Sequence, residues 1–175
     1  MPNKKTIGIT GAGGSLGKAL TKKFSSHGYK IIGFTHNKNP QELVEQGPNE
    51  WIYWECGKEY LLENSLSKID ILILNHGIYN SNQDLEKSIE INATSKIKIL
   101  RLFEKISLSQ SIGSSPKEIW INTSEAEILP ALNPCYEISK SLIGQVVTFK
   151  KNFNYQNDST NLIIKKIILG PFQSD

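Results

Sequence analysis

A doubly wound α/β fold is the class this chain predicts: one domain in three αβα layers, with a parallel sheet of about six strands. Three observations carry that expectation. Short apolar runs alternate with amphipathic helical stretches along the chain. The segment Asp70-Ile71-Leu72-Ile73-Leu74-Asn75 is apolar without alternation in its middle, as suits a strand buried on both faces of a parallel sheet. The first apolar run also leads directly into a glycine-rich turn that opens a helix. A length of 175 residues gives one domain large enough to bury a core.

Taken in order, Thr6–Thr10 reads as the first strand and residues 18–26 as a helix that closes near Gly28. Lys30–Thr35 is the second strand and residues 51–55 the third. Residues 70–75 form the fourth, followed by one long helix over 84–109. Residues 118–122 are the fifth strand, 135–153 the next helix and 161–169 the sixth strand. There is no internal repeat and no low-complexity linker. Crossovers in such a sheet are right-handed, and ligands bind beyond the carboxyl ends of its strands. Every motif below falls at such an end or on the helix leaving it.

Composition excludes several classes. The net charge of +3 comes from nineteen Lys and one Arg (Arg101) against 17 acidic residues. These charges are scattered, which fits a solvated surface better than a nucleic-acid face. A single Arg also argues against bidentate phosphate forks. Cys56 and Cys135 have no paired spacing, as expected in a reducing compartment without a structural disulfide. His27, His36 and His76 lie in three separate segments without ligand spacing, so no metal site is expected. No apolar run approaches about 20 residues, and the start Met1-Pro2-Asn3-Lys4-Lys5 lacks the apolar stretch of a signal peptide. The expectation is a cytoplasmic chain with neither a membrane nor a nucleic acid as partner. Trp51, Trp54 and Trp120 read as core or contact aromatics rather than a stacking platform.

In the turn, Gly11, Gly14 and Gly17 permit a tight bend, close backbone approach and close helix packing. Ser15, Leu16 and Gly17 then bring their N–H groups, at the positive end of the helix dipole, to a pyrophosphate. A phosphate-binding P-loop competes superficially at Gly17-Lys18. Ala12 stands where its first Gly is needed and Ala19 where its magnesium-binding hydroxyl is needed, so a phosphoryl-transfer enzyme fails. The turn therefore reads as a Rossmann-type dinucleotide site. Further on, Tyr136 and Lys140 are four residues apart on a helix and share one face. A nearby ammonium favours phenolate over phenol, which equips the tyrosine to give and take a proton. Taken singly, Tyr136 reads equally as a core aromatic and Lys140 as a surface lysine; it is their place behind a nucleotide turn that points to a reaction.

With these elements in this order, the sequence resembles the short-chain dehydrogenase/reductase family over almost its whole length. Thr10-Gly11-Ala12-Gly13-Gly14-Ser15-Leu16-Gly17 is similar to that family's Thr-Gly-x-x-x-Gly-x-Gly, with Ser15 in place of its second Gly. Asp70-Ile-Leu-Ile-Leu-Asn75-His76-Gly77 resembles Asp-Ile-Leu-Val-Asn-Asn-Ala-Gly, with Leu74 and His76 as departures. Asn92 matches the Asn that holds a proton-relay water, and Gly170-Pro171 resembles a reversed Pro-Gly turn over the nicotinamide. The resemblance implies Tyr136 as general acid/base, Lys140 as its charged partner and cofactor-ribose ligand, and a hydroxyl that polarises the substrate oxygen. Asn122-Thr123-Ser124 is similar to the strand end bearing that hydroxyl. Ser124 fits the local pattern and Thr123 fits the usual spacing to Tyr136.

For the cofactor, the loop after the second strand reads Phe34-Thr35-His36-Asn37-Lys38, with no acid to bind a ribose 2′-OH. Thr35, His36 and Lys38 suit a 2′-phosphate, so NADP is expected ahead of NAD, with Asn75, His76 and Gly77 along the same site. The chain stops at Phe172-Gln173-Ser174-Asp175, where the family usually continues with a substrate-covering segment. That implies a shortened member, one NAD(P)-binding domain over residues 1–175, with the sixth strand at a sheet edge and Lys165-Lys166 as charge blockers. Apolar positions on the helix of Tyr136 and on that after Asn92 imply a homodimer. Two functions follow: an oxidoreductase acting on a carbonyl/alcohol pair, or a dinucleotide-binding module without turnover of its own.

Overall fold

The computed structural model describes residues 4–40, 47–79, 82, 84–111, 114–156 and 161–171, apart from the side chains of 154–156. The segment Phe172-Gln173-Ser174-Asp175 and the first three residues lie outside the described residues. Six strands form one sheet: β1 Thr6–Thr10, β2 Lys30–Thr35, β3 Glu50–Tyr53, β4 Ile71–Leu74, β5 Lys117–Ser124 and β6 Leu162–Leu169. Their order is β3-β2-β1-β4-β5-β6, and each neighbouring pair is parallel. This is the Rossmann order, with the reversal point between β1 and β4, where a ligand crevice is expected. No helix among the described residues is long and apolar enough to cross a membrane.

Side-chain alternation divides the core into two. From β4, Ile71 and Ile73 pack with Ile7, Ile9 and Ile31 against Leu20 and Phe24 of helix α1 (Ser15–Ser26). Leu72 and Leu74 face the other way, into a larger cluster with α2 (Glu63–Ser67), α4 (Ser95–Leu108) and α5 (Pro134–Gln156). Each buried Ile or Leu of this kind stabilises the fold by about 1.5–3 kcal/mol. The continuous apolar run of β4 thus serves both faces at once.

The long helix expected over 84–109 is three segments. Asp84 caps α3 (Leu85–Ile89) by accepting the Lys87 N–H at 2.9 Å. A π-helical turn, Glu90–Thr94, then joins α3 to α4. Hydrophobic periodicity does not register one widened turn inside an otherwise helical pattern. Residues 59–67 also fold, as a 3-10 turn (Glu59–Leu62) running into α2, between the third and fourth strands, where no element was assigned from sequence.

Two edge expectations change in detail. β6 is an outer strand of the described sheet, but its lysines do not guard the edge. Lys165 lies over the Trp120 ring and pairs with Glu118 at 2.6 Å, while Lys166 points to the opposite face, 2.8 Å from Glu127. The apolar face of α4 is also largely consumed: Ile99, Leu100, Phe103 and Ile106 are buried in the chain's own core. Exposed apolar side chains remain on α5, at Ile138, Leu142 and Phe149.

Candidate active site

The turn after β1 is built on backbone contacts that only glycine allows. Gly11 has φ +67°, and its N–H donates to Phe34 O at 3.0 Å, tying the turn to the end of β2. A Cβ on Gly17 would lie 2.2 Å from Gly11 O. Gly14 differs: a Cβ there would meet only Gly11 O, at an ordinary 3.5 Å. Its freedom is not needed for packing within the chain, which leaves the open side for a close-approaching ligand. Gly14 also caps α1 without a side-chain hydrogen bond, and the first turn of α1 carries no acid. Unpaired amide groups at the positive end of a helix dipole, free of competing carboxylates, suit a pyrophosphate.

Thr10 latches this turn to the end of β4. Its Oγ1 accepts the Asn75 N–H at 2.9 Å and the His76 N–H at 3.3 Å, and it lies 2.8 Å from His76 Nδ1. Asn75 Oδ1 in turn accepts from Asn122 Nδ2 at 2.9 Å, joining the ends of β4 and β5. His76 is buried edge-on against Trp54, and its Nε2 has no hydrogen-bond partner among the described residues. Burial, then the charges of Lys96 and Lys140, hold its imidazole well below the usual histidine range, so it is neutral. Lys96 itself is 1% exposed and donates to Asn122 O at 2.8 Å. Burial and the Lys140 charge push its amine well below the ordinary lysine value. Sequence reading missed Lys96, although a signal was present: Asn92, Lys96, Ile99 and Phe103 fall on one helical face.

Asn92 sits on the π turn and is fully buried. Its Oδ1 accepts the Ile78 N–H at 2.8 Å, and its Nδ2 donates to Ile78 O at 2.9 Å and to Ser139 Oγ at 3.0 Å. The amide is a clamp between the loop after Gly77 and α5, and its side chain is committed to protein partners. Gly77 makes room for it, since a Cβ there would be 2.8 Å from Asn92 Oδ1 and 3.5 Å from Lys140 Nζ.

The start of α5 fixes Tyr136. Asn133 accepts the Tyr136 N–H at 3.0 Å, Pro134 is the first helical residue, and Glu137 reaches back to the N–H groups of Ala131 and Asn133. The Tyr136 ring packs against Tyr79 with centroids 5.2 Å apart, and Lys140 Nζ lies 5.2 Å from its centroid. Lys140 is 7% exposed. Burial lowers its amine from the ordinary lysine value to about 8, against an opposing pull from Glu127. At the end of β5, Thr123 is buried and donates to Ile167 O at 3.3 Å. Ser124 is partly exposed and, among the described residues, accepts only the Ala126 N–H, at 3.2 Å, with its own proton given to none of them.

These groups line one cleft of about 1230 Å³. Gly11, Gly14, Ser15, Leu16, Thr35 and His36 line it together with Asn75, His76, Gly77, Thr123, Ser124, Tyr136, Lys140, Gly170 and Pro171. Gly17, Asn37, Lys38 and Asn92 do not line it: Gly17 and Asn92 act from behind, and Asn37 is folded back onto Thr35 Oγ1 at 3.1 Å. Trp54, read from sequence as a core or contact aromatic, is a buried member of the larger core cluster and also lines the cleft. It also contains an acid not counted before, Glu55 after β3, which takes hydrogen bonds from Tyr53 and from Lys58 at 2.7 Å. An open glycine turn, a bare helix start and a long cleft ending at a tyrosine–lysine pair fit a dinucleotide laid from Thr35 to Tyr136. The chemistry available at the far end is proton exchange with an oxygen held near Ser124 and Tyr136.

Three comparisons bear on this geometry. A family model described as the NAD dependent epimerase/dehydratase family matches residues 7–155. The monoglucosyldiacylglycerol epimerase of Synechocystis sp. (strain ATCC 27184 / PCC 6803 / Kazusa) is 36% identical over 180 residues, covering 97% of this chain. The chain spans only 42% of that relative's length. Among solved structures, a short chain dehydrogenase from Burkholderia cenocepacia J2315 in complex with NADP superposes with a TM-score of 0.80 at 14% identity, over 98% of this chain and 74% of that one. Serine dehydrogenase from Escherichia coli gives 0.76 at 21% identity, over 94% and 81% of the two chains. Both structural matches share the fold.

Proposed function

This chain belongs to the NAD-dependent epimerase/dehydratase family, of short-chain dehydrogenase/reductase type, and on that premise we propose that it interconverts a secondary alcohol and its carbonyl with NADP or NAD as cofactor. The observation that carries the reading is the convergence of Tyr136, Lys140 and Ser124 on the cleft that begins at the glycine turn. The amide groups of Ser15 and Leu16 would hold the pyrophosphate, and Lys140 the ribose beside the nicotinamide. When bound, the cofactor supplies or takes up the hydride at the carbinol carbon. Ser124 orients the substrate oxygen through its free hydroxyl proton. Tyr136 gives that oxygen a proton when the carbonyl is reduced and removes it when the alcohol is oxidised. Lys140, in its charged form, favours the phenolate between the two.

The epimerase relative narrows the substrate class. An epimerising cycle would use Tyr136 twice on one carbon, as base while the alcohol is oxidised and as acid while the carbonyl is reduced, with the hydride returned to the opposite face. A sugar hydroxyl, as in a glycosylated lipid, is the substrate class we propose first; a simple ketone/alcohol pair is the broader alternative. The purified chain, offered NADPH with a carbonyl panel and NADP with glycosides, should turn over at least one pair. Cofactor binding without any turnover would instead favour a dinucleotide-binding module.

NADPH is expected to bind about tenfold more tightly than NADH, the worth of one charge-assisted hydrogen bond of about 1.5 kcal/mol to the 2′-phosphate. Thr35 and His36 stand where β2 ends, and Lys38 is close enough to act on the Glu55 charge. Trp54 in the cleft makes fluorescence quenching the readout, and equal affinities, or tighter NADH binding through Glu55, would sink the preference. We also propose a homodimer through α5, where Ile138, Leu142 and Phe149 are 49%, 39% and 68% exposed. Light scattering that returned the single-chain mass of 19.6 kDa at every concentration would refute it.

A further inference from the structure

Behind the helix that carries Tyr136 and Lys140 lies a carboxylate outside the cleft. Glu127 ends the 3-10 turn that follows Ser124, and its side chain is 4% exposed. Its Oε1 is 2.8 Å from Lys166 Nζ on β6, which also donates to Thr148 Oγ1 at 3.1 Å. That close approach lacks hydrogen-bond alignment, and neither carboxylate oxygen has another donor. Oε2 rests on α5 at Gly144, where a Cβ would come within 1.6 Å of it. Gly144 is four residues beyond Lys140, on the same helical face. A carboxylate this dry is costly unless opposite charges surround it. Lys166 is one such charge, and Lys140 is the second.

We propose that Glu127 is a positioning residue for the Tyr136–Lys140 pair: its carboxylate, seated behind α5 against the bare backbone of Gly144, keeps the buried Lys140 amine charged. The proposal rests on the role given to Lys140 above. Burial drives Lys140 towards its neutral form, and Glu127 is the one opposing charge felt there among the described residues. The other groups that face it supply no anion. His76 from the loop after β4 and Lys96 from α4 are themselves pushed towards their neutral forms by burial, and on its own helix it meets the Tyr136 ring. The cationic form of Lys140 is the one that favours a phenolate beside it.

The test is a pH titration of the full chain carrying 13C at lysine Cε, followed by NMR, with the Lys140 signal identified by its loss in Lys140→Arg. The wild-type midpoint is expected near 8. Glu127→Gln should lower it, because the one stabilising anion among the described residues is gone. Lys166→Met, which removes the counter-charge and keeps the carboxylate, should leave the midpoint in place or raise it. A structural role alone would not separate the two variants by sign. An unmoved midpoint in a folded Glu127→Gln protein, or equal lowering in both variants, overturns the proposal. Should Glu127→Gln fail to fold, Gly144→Ala, which displaces the carboxylate, must lower the midpoint, and no change there overturns it equally. The readout needs no turnover, so an inactive chain would sink the oxidoreductase reading and leave this measurement standing.

Discussion

Tyr136→Phe is expected to cut turnover by about 100- to 10,000-fold, the range a positioned general acid–base supplies, while dinucleotide affinity stays nearly unchanged. The fold has no reason to respond. The phenyl ring keeps its packing against Tyr79 and its place beside Lys140, both at 5.2 Å, and the cap from Asn133 is made to the backbone N–H of residue 136. Only the proton carrier is lost. Initial rates of NADPH consumption, set beside quenching of protein fluorescence, separate the two effects. A variant within about tenfold of wild type would remove Tyr136 from the chemistry, since that is less than the smallest contribution expected of such a group.

The second large effect is expected at Gly17. In Gly17→Val the added Cβ meets Gly11 O at 2.2 Å and the Ala12 backbone at 2.7 and 2.9 Å. All three neighbours are main chain, so no rotamer change can relieve the overlap. The turn must open, at about 1–3 kcal/mol or more for overpacking, which for a domain of this size lowers Tm by about 2–12 °C. The amide groups of Ser15 and Leu16 move with it, so NADPH affinity should fall by at least about tenfold. Gly14→Ala is the contrast: its Cβ meets only an ordinary 3.5 Å contact, so stability should hold while cofactor binding weakens. Thermal unfolding with and without NADPH reads both. If Gly17→Val unfolds and binds like wild type, the turn is not the rigid cradle described.

The motifs that were legible in sequence are those whose chemistry is local. Gly11, Gly14 and Gly17 announce a bend, and Tyr136 and Lys140 announce a shared helical face, because both depend on spacing within a few residues. The run Ile71–Leu74 revealed a central strand because both of its faces are apolar. What stayed hidden depends on distant partners. Lys96 and Glu127 look like surface charges until α4 and the turn after β5 are folded against their neighbours. Asn92 was found as a residue but not as a clamp, since Ile78 and Ser139 reach it only through tertiary packing. Lys165 and Lys166 were misplaced for the same reason: alternation puts them on opposite faces, but only the fold says what each meets. Glu55 was overlooked because it follows β3, outside the loop where cofactor-selecting acids are sought.

The strand order has a consequence for how the chain acquires its site during synthesis. β1 emerges first, yet it ends between β2 and β4, and the latch from Thr10 to Asn75 and His76 spans 65 and 66 residues. Parallel pairings of this kind close long loops before any contact rewards them, which makes such sheets slow to form. The glycine turn, tied to Phe34 at the end of β2, therefore lacks its latch until residue 76 has left the ribosome, and the clamp from Asn92 to Ser139 must wait for α5. A nucleotide has nothing to grip on a half-made chain. Its binding can act only on the finished molecule, where mass action drains the unfolded population instead of guiding the path to the fold.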